Sequence, residues 1–130
     1  MWYLFIYSSC NPFGKIIKEA YKAADQLAAE GIECEIIDLR TVRPLDINAI
    51  LDSVKKTNRL VVLEEAWPFG NVATEITYQI QSQAFDYLDA PVEKINTADT
   101  PAPYSPALFA EWLPNSTDVV KAVKKVLYKK

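Results

Sequence analysis

The chain of 130 residues contains no histidine, the side chain that most often acts as a general base or as a metal ligand in proteins. It has three glycines, and none lies in a GxGxxG or GxxxxGK(S/T) motif, the glycine-rich loops that bind nucleotide phosphates. Its two cysteines, Cys10 and Cys34, lack CxxC spacing, which argues against a dithiol or zinc site. The sequence therefore argues against a self-contained enzyme.

The charge balance also excludes classes of partner. The net charge of −3 gives no general basic face, so we expect no nucleic-acid partner. The apolar run Met1–Tyr7 has no basic region before it and is too short to span a bilayer, so we interpret it as a buried strand. Two thiols without a signal peptide predict a reduced protein of the cytoplasm or of an organelle matrix, with no membrane contact.

Apolar runs and helical periodicity alternate along the chain. The predicted strands are Trp2–Tyr7, Cys34–Ile37, Arg59–Leu63 and Val92–Ile95. The first and third of these are apolar without the alternation of a half-exposed sheet. The predicted helix caps are Asn11 followed by Pro12, then Asp46, then Asn71 after Gly70, and finally Ser116 or Thr117. Strands that alternate with helices predict one α/β domain over residues 1–130, a three-layer α/β/α sandwich with a mostly parallel sheet.

Residues 96–116 depart from this alternation. The four prolines of this segment exclude regular structure over most of its length. Aromatic residues, Tyr104 and Trp112 among them, make the segment too apolar for a free linker. We therefore expect an arm that packs at an interface, with Tyr104 and Trp112 as candidate partner-binding residues.

The stretch Asp38–Asp46 concentrates charge at the point where a predicted strand leads into a helix. Open α/β sheets place binding surfaces at this edge. We expect a structural ion-pair network there, within the domain or between subunits, formed by Asp38, Arg40, Arg43, Asp46, Glu64 and Glu65. Adjacent carboxylates at a strand end are also candidates for catalysis, but a helix cap or an ion pair with Arg40 or Arg43 is the favoured interpretation of Glu64 and Glu65.

Two longer motifs resemble a known family. Asp38–Asp46, followed by Lys56–Trp67, closely resembles the carboxyl-terminal domain of transketolase-like enzymes. Within that family, Ala84–Pro91 followed by Asp99–Tyr104 is similar to the beta subunit of the pyruvate dehydrogenase E1 component, with the branched-chain 2-oxoacid dehydrogenase beta subunit as the main competitor. The resemblance extends from about Asn11 to Tyr128.

The resemblance implies a fold and assigns different functions to the subunits and domains of the enzyme. It implies a five-stranded mixed sheet in which Trp2–Tyr7 is the candidate for an antiparallel strand. In this family the alpha subunit and the amino-terminal domain of beta hold thiamine diphosphate and magnesium. The carboxyl-terminal domain serves in subunit association and in docking the dihydrolipoyl acyltransferase, E2. We therefore expect no catalytic, cofactor-binding or metal-binding residue in this chain. Its expected partners are an E1 alpha subunit, a second E1 beta subunit and the E2 subunit-binding domain.

The same resemblance assigns partner-binding residues. Asp89, in a Leu-Asp-Ala-Pro motif, matches a carboxylate that contacts E2, although an aspartate there can also simply cap the turn before Pro91. Trp67 and Phe69 should face a neighbouring subunit, with core packing as the alternative for Trp67. Lys129 and Lys130 depart from the family's short apolar ending, which also contacts E2.

Two alternatives to this function remain. One is the carboxyl-terminal domain of a transketolase or of a deoxyxylulose-phosphate synthase. The other is a free-standing α/β binding module without a role in an enzyme.

Overall fold

The computed structural model describes residues 2–8 and 15–129, and its centre is a parallel β-sheet. The strands are β1 (Trp2–Ser8), β2 (Glu33–Leu39), β3 (Leu60–Glu64) and β4 (Glu93–Ile95), in the order β2-β1-β3-β4. Every pair of neighbouring strands is parallel. All the strands therefore end at the same edge of the sheet, which we call the carboxyl edge.

Helices connect and cover the strands. They are α1 (Lys15–Ala29), α2 (Ile47–Thr57), α3 (Val72–Ala84), α4 (Pro106–Trp112) and α5 (Ser116–Val126), with a 3₁₀ turn at Phe85–Tyr87. None of these helices, among the residues that the structure describes, is long and apolar enough to cross a membrane.

Alternate residues of β3 pack against opposite helix layers. Val61 and Leu63 belong to a buried cluster with α1 and α5, whereas Leu60 and Val62 belong to a second cluster with α2 and α3. The side chains of a strand alternate between the two faces of its sheet, so a central strand with helices on both faces must be apolar throughout. The predicted α/β/α sandwich is confirmed.

Side chains at the helix ends explain where the helices begin. The Asp46 carboxylate accepts a hydrogen bond from the Ala49 amide at 3.2 Å, and the Asn71 amide oxygen accepts one from the Thr74 amide at 2.9 Å, both as predicted. Helix α5 begins one or two residues earlier than the predicted cap at Ser116 or Thr117 implies, because Asn115 forms a capping box with Asp118. The predicted cap at Asn11 lies outside the described residues.

Two expectations about the fold need correction, and one helix was not expected. The described residues form four strands, and a fifth is not among them. Strand β1 is parallel to both of its neighbours, so the expected antiparallel strand is wrong. A helix follows β2 and another follows β3, and each returns the chain to the edge at which the strands begin. The proline-rich segment 96–116 also contains α4, because Pro106 occupies the first turn, where a missing amide proton costs little.

Replacement of Ile76 by alanine should lower the free energy of unfolding by about 2–5 kcal/mol, because Ile76 is fully buried between α3 and the sheet. Tyr78→Ala is the matched control on the same helix, where the ring is exposed and its loss should cost less than about 0.5 kcal/mol. Urea denaturation followed by circular dichroism measures both changes. Equal losses for the two variants would contradict this packing.

Candidate functional site

The carboxyl edge carries the loops that follow β2, β3 and β4. The connection from β1 leads to β2 on one side, whereas the connections that follow place β3 and β4 on the other side. The strand order therefore reverses between β1 and β3, and open α/β sheets bind ligands in the crevice at such a point. Glu64, the last residue of β3, lies there in register with Ser8.

The Glu64 carboxylate is buried and accepts hydrogen bonds from backbone amides of the chain. The side chain is buried, with 4% of its surface exposed, and its two oxygens accept hydrogen bonds from the Val72 amide at 3.3 Å and the Ala73 amide at 3.0 Å. These are the first amides of α3, the position at which a helix would otherwise bind a phosphate group. Glu64 therefore fills the anion-binding position of this edge with a group of the chain itself.

Opposing effects act on the pKa of the Glu64 carboxyl. Burial raises the pKa of the Glu64 carboxyl, because the ionised form loses its hydration. The amides of Ala73 and Val72 and the positive charge of Lys94 act in the opposite direction, but burial dominates and the pKa lies above its ordinary value.

An open groove of about 630 Å³ lies beside Glu64. Its apolar walls include Val72, Trp67, Phe69 and Trp112, and its polar wall includes Glu65 and Glu75. Carboxylates repel anionic ligands, so the groove is unsuited to a phosphate-bearing molecule. Its apolar side chains suit a protein surface better.

Residues 66–71, which we call the aromatic loop, display the two rings that the sequence predicted as partner-binding. Phe69 is 90% exposed and Trp67 is 53% exposed, so neither belongs to the core. Gly70 supplies a positive φ of 66° next to Phe69, a conformation that other residues adopt with strain. The core-packing alternative for Trp67 is therefore wrong.

The proline-rich arm reaches the same edge through Trp112. The Trp112 ring is stacked on Phe109 with 5.5 Å between ring centroids, and its indole nitrogen donates to the Thr100 carbonyl at 2.9 Å. Trp112 thus fixes the arm and lines the groove, whereas Tyr104 is fully exposed.

The six residues of the expected ion-pair network lie in separate places. Arg40 pairs with Asp38 at 3.1 Å, although Arg40 is largely exposed. Asp46 caps α2 and Glu64 caps α3. Arg43 lines a second groove of about 580 Å³ that also includes Glu75. Arg43 and Glu65 form no ion pair within residues 2–8 and 15–129, and the six do not form one network there.

Asp89 lies away from the carboxyl edge, near the end of α5. One of its oxygens is 3.3 Å from the Arg59 guanidinium, and its backbone amide donates to the Asn58 carbonyl at 2.9 Å. The Arg59 side chain is almost buried and also donates to the Val126 carbonyl at 2.9 Å, in the last turn of α5. Asp89 is therefore held in place while about half of its side chain, 56%, stays exposed.

Sequence reasoning missed Arg59 and Lys94. Each donates to a backbone carbonyl far along the chain, and no residue pattern reports such a contact. Cys34 offers no nucleophile, because burial raises the pKa of its thiol to about 12. The described residues place no three histidine, cysteine, aspartate or glutamate side chains together as a metal site.

Comparisons with known proteins agree with the resemblance seen in the sequence. The family model described as "Transketolase, C-terminal domain" matches residues 12–119. The chain is 52% identical over 117 residues to "Pyruvate dehydrogenase E1 component subunit beta" of Rhizobium meliloti (strain 1021), a match that covers 90% of the chain and 25% of that protein. It is 44% identical over 114 residues to "Pyruvate dehydrogenase E1 component subunit beta, mitochondrial" of Dictyostelium discoideum, covering 88% of the chain and 32% of that protein.

A solved structure supports the fold match. The chain superimposes on "Split gene transketolase, inactive beta4 tetramer" with a TM-score of 0.78 and 26% identity, covering 98% of this chain and 39% of the other. The chain spans between a quarter and a third of the length of the two curated relatives, 25% and 32%. The resemblance to the carboxyl-terminal domain of these proteins is confirmed.

The raised pKa of Glu64 predicts a pH dependence of stability. The folded state binds the carboxyl proton more tightly than the unfolded state, so stability is lost as the pH rises from the unfolded pKa through the folded one. The unfolding free energy of the wild type, minus that of Glu64→Gln, should therefore fall as the pH rises from about 4 towards neutrality. Urea denaturation across this range measures the difference, and a difference that rises with pH would contradict it.

Proposed function

The chain belongs to the family of transketolase C-terminal domains, and from this membership we propose that it is an assembly and docking domain of an E1 beta subunit. The enzyme would be a thiamine-diphosphate-dependent 2-oxoacid dehydrogenase, with pyruvate as the 2-oxoacid. In the complete enzyme, the 2-oxoacid is oxidatively decarboxylated and its acyl group is passed to the lipoyl group of E2. The single observation that carries this proposal is the 52% identity to a pyruvate dehydrogenase E1 beta subunit over 90% of the chain.

The described residues of the carboxyl edge do not fit the diphosphate of the cofactor. The first amides of α3 already bind Glu64, and the adjoining groove has Glu65 and Glu75 in its wall. A diphosphate with its magnesium ion needs amide or cationic donors for the phosphates and an open carboxylate or carbonyl position for the metal. This misfit supports the placing of thiamine diphosphate and magnesium in the alpha subunit and in the amino-terminal domain of beta.

The exposed aromatic side chains support a role in subunit association. A monomeric protein rarely leaves neighbouring large rings uncovered beside an apolar groove. Trp67 and Phe69 on the aromatic loop, with Trp112 in the groove and Tyr104 on the arm, provide a surface for the alpha subunit or a second beta subunit. Aromatic side chains are the typical anchors of such surfaces.

Asp89 supports a separate contact with E2. The Arg59 guanidinium holds one of its oxygens, and the side chain remains half exposed, so a basic residue of the E2 subunit-binding domain can reach the carboxylate. We place the whole chain, 1–130, in one domain of an enzyme of the cytoplasm or of an organelle matrix.

Replacement of Asp89 by asparagine should weaken binding of the E2 subunit-binding domain at least about tenfold, because a charge-assisted hydrogen bond contributes about 1.5–3 kcal/mol. Surface plasmon resonance on the assembled E1 protein measures the affinity. Asp86→Asn is the matched control, since Asp86 is an exposed carboxylate three residues earlier in the same connection.

The control should bind E2 as the wild type does. Thermal unfolding of both variants separates a lost contact from a lost fold, because Asp89 also pairs with Arg59. Equal binding by Asp89→Asn and the wild type would remove Asp89 from the E2 contact and leave only its structural pairing.

A further inference from the structure

The aromatic loop is held at several points although its two rings are exposed. The Ala66 carbonyl accepts a hydrogen bond from the Thr97 amide at 3.1 Å. The Asn71 side chain donates to the Trp67 carbonyl, and its oxygen accepts from Thr74. The loop is thus attached both to the segment after β4 and to the first turn of α3.

Lys94, in β4, supplies a further attachment from a distant part of the chain. Its ammonium nitrogen donates to the Pro68 carbonyl at 3.0 Å and to the Thr74 hydroxyl at 2.8 Å. Pro68 lies between the two displayed rings, so this contact fixes the middle of the loop. The same positive charge acts favourably on the buried Glu64 carboxylate, which caps the helix that follows the loop.

A loop that is fixed and carries uncovered rings is suited to binding a protein. Phe69 is one of the side chains that line the apolar groove, yet its ring stays 90% exposed. Ordering a loop at the moment of binding opposes association, and a loop that is already ordered avoids this cost. The attachments of the loop therefore favour association as well as folding.

The charges of the edge indicate which partner fits. Arg43, Glu65 and Glu75 form no ion pair in the described part of the chain. Glu75 lines the groove beside Phe69 and also the groove beside Arg43, so both signs of charge, a protruding ring and a groove share one surface. In a dimer with a twofold axis, the same surface of each copy faces the other copy, so the surface must be complementary to itself. Charges of both signs, together with a ring and a groove, meet this requirement.

We propose that Lys94 is a positioning residue that holds the aromatic loop as a preformed docking element for a second copy of this chain. The proposal rests on the proposed role of the chain in subunit assembly. In it, Phe69 of each copy enters the groove of the other, and Arg43 of each copy approaches the carboxylates of Glu65 and Glu75. Lys94 touches neither partner group and acts through the loop.

The test compares Lys94→Met with Lys121→Met and Phe69→Ala in the complete beta polypeptide within its native assembly. Lys121 is an exposed lysine of α5 and provides the matched loss of one charge. Dissociation on dilution is followed by sedimentation velocity. We expect Phe69→Ala to raise the dissociation constant of the beta–beta contact at least about thirtyfold, as for a central aromatic anchor. Lys94→Met should raise it about three- to tenfold, and Lys121→Met should leave it unchanged.

The double variant distinguishes positioning from general stability. If Lys94 acts through the loop, Lys94→Met should weaken association little once Phe69 has been replaced by alanine. Hydrogen exchange of the loop amides should also be faster in Lys94→Met than in Lys121→Met. If Lys94→Met does not fold, Thr74→Val removes one of the two acceptors of Lys94, together with the hydroxyl's own hydrogen bond to Asn71. It should weaken association about two- to threefold.

The outcomes separate this inference from the proposed function. Unchanged association in Phe69→Ala would refute docking through the loop, and with it the assembly role of this edge. Weaker association in Phe69→Ala with no change in Lys94→Met would refute the positioning role alone. Release of the alpha subunit by Phe69→Ala, with the beta–beta contact intact, would show that the occupant is the alpha subunit and overturn the choice of a second copy.

Discussion

The hydrogen bonds from Val72 and Ala73 to the buried carboxylate of Glu64 determine much of the carboxyl edge. They join the end of β3 to the beginning of α3 and so fix both ends of the connection that contains residues 66–71. Burial makes the ionised carboxylate costly, and the amides at the helix start offset part of that cost. The amino terminus of α3, which could have bound a phosphate group, binds the carboxylate of Glu64 instead.

Much of the fold could be predicted because the residue patterns that determine strands and helix caps lie within a few residues of each other. The apolar sequence of β3 reflects burial on two faces, and the caps Asp46 and Asn71 bind amides three residues ahead. The direction of β1 was missed because strand direction depends on the path of the chain between strands, which the strand's own residues do not record. Helix α4 was not predicted because the prolines of this segment were taken to exclude helical structure. Pro106 lies in the first turn of α4, where a proline is tolerated.

The candidate site was predictable only in part, for a related reason. The exposed rings of Trp67 and Phe69 follow a strand end, which the sequence does show. Lys94 donates to the carbonyl of Pro68, and Arg59 donates to the carbonyl of Val126. Because every residue has a backbone carbonyl, the sequence does not indicate which carbonyl a side chain will bind. Asp46 and Glu64 were expected both as helix caps and in one ion-pair network. They bind backbone amides, as the cap interpretation predicted, since unpaired amides at helix starts need acceptors.

These contacts explain how a sheet edge that commonly binds small molecules can bind a protein. In this chain the anion-binding position is filled by Glu64, the lysine of β4 is engaged by Pro68 and Thr74, and the polar groups that remain lie around exposed apolar rings. A small anionic ligand would have to displace bonds already made within the chain. An apolar protein surface displaces only water, which favours association through burial of the rings. Among the described residues, the polar contacts that occupy the anion-binding position of this edge therefore also agree with the proposed role in subunit association.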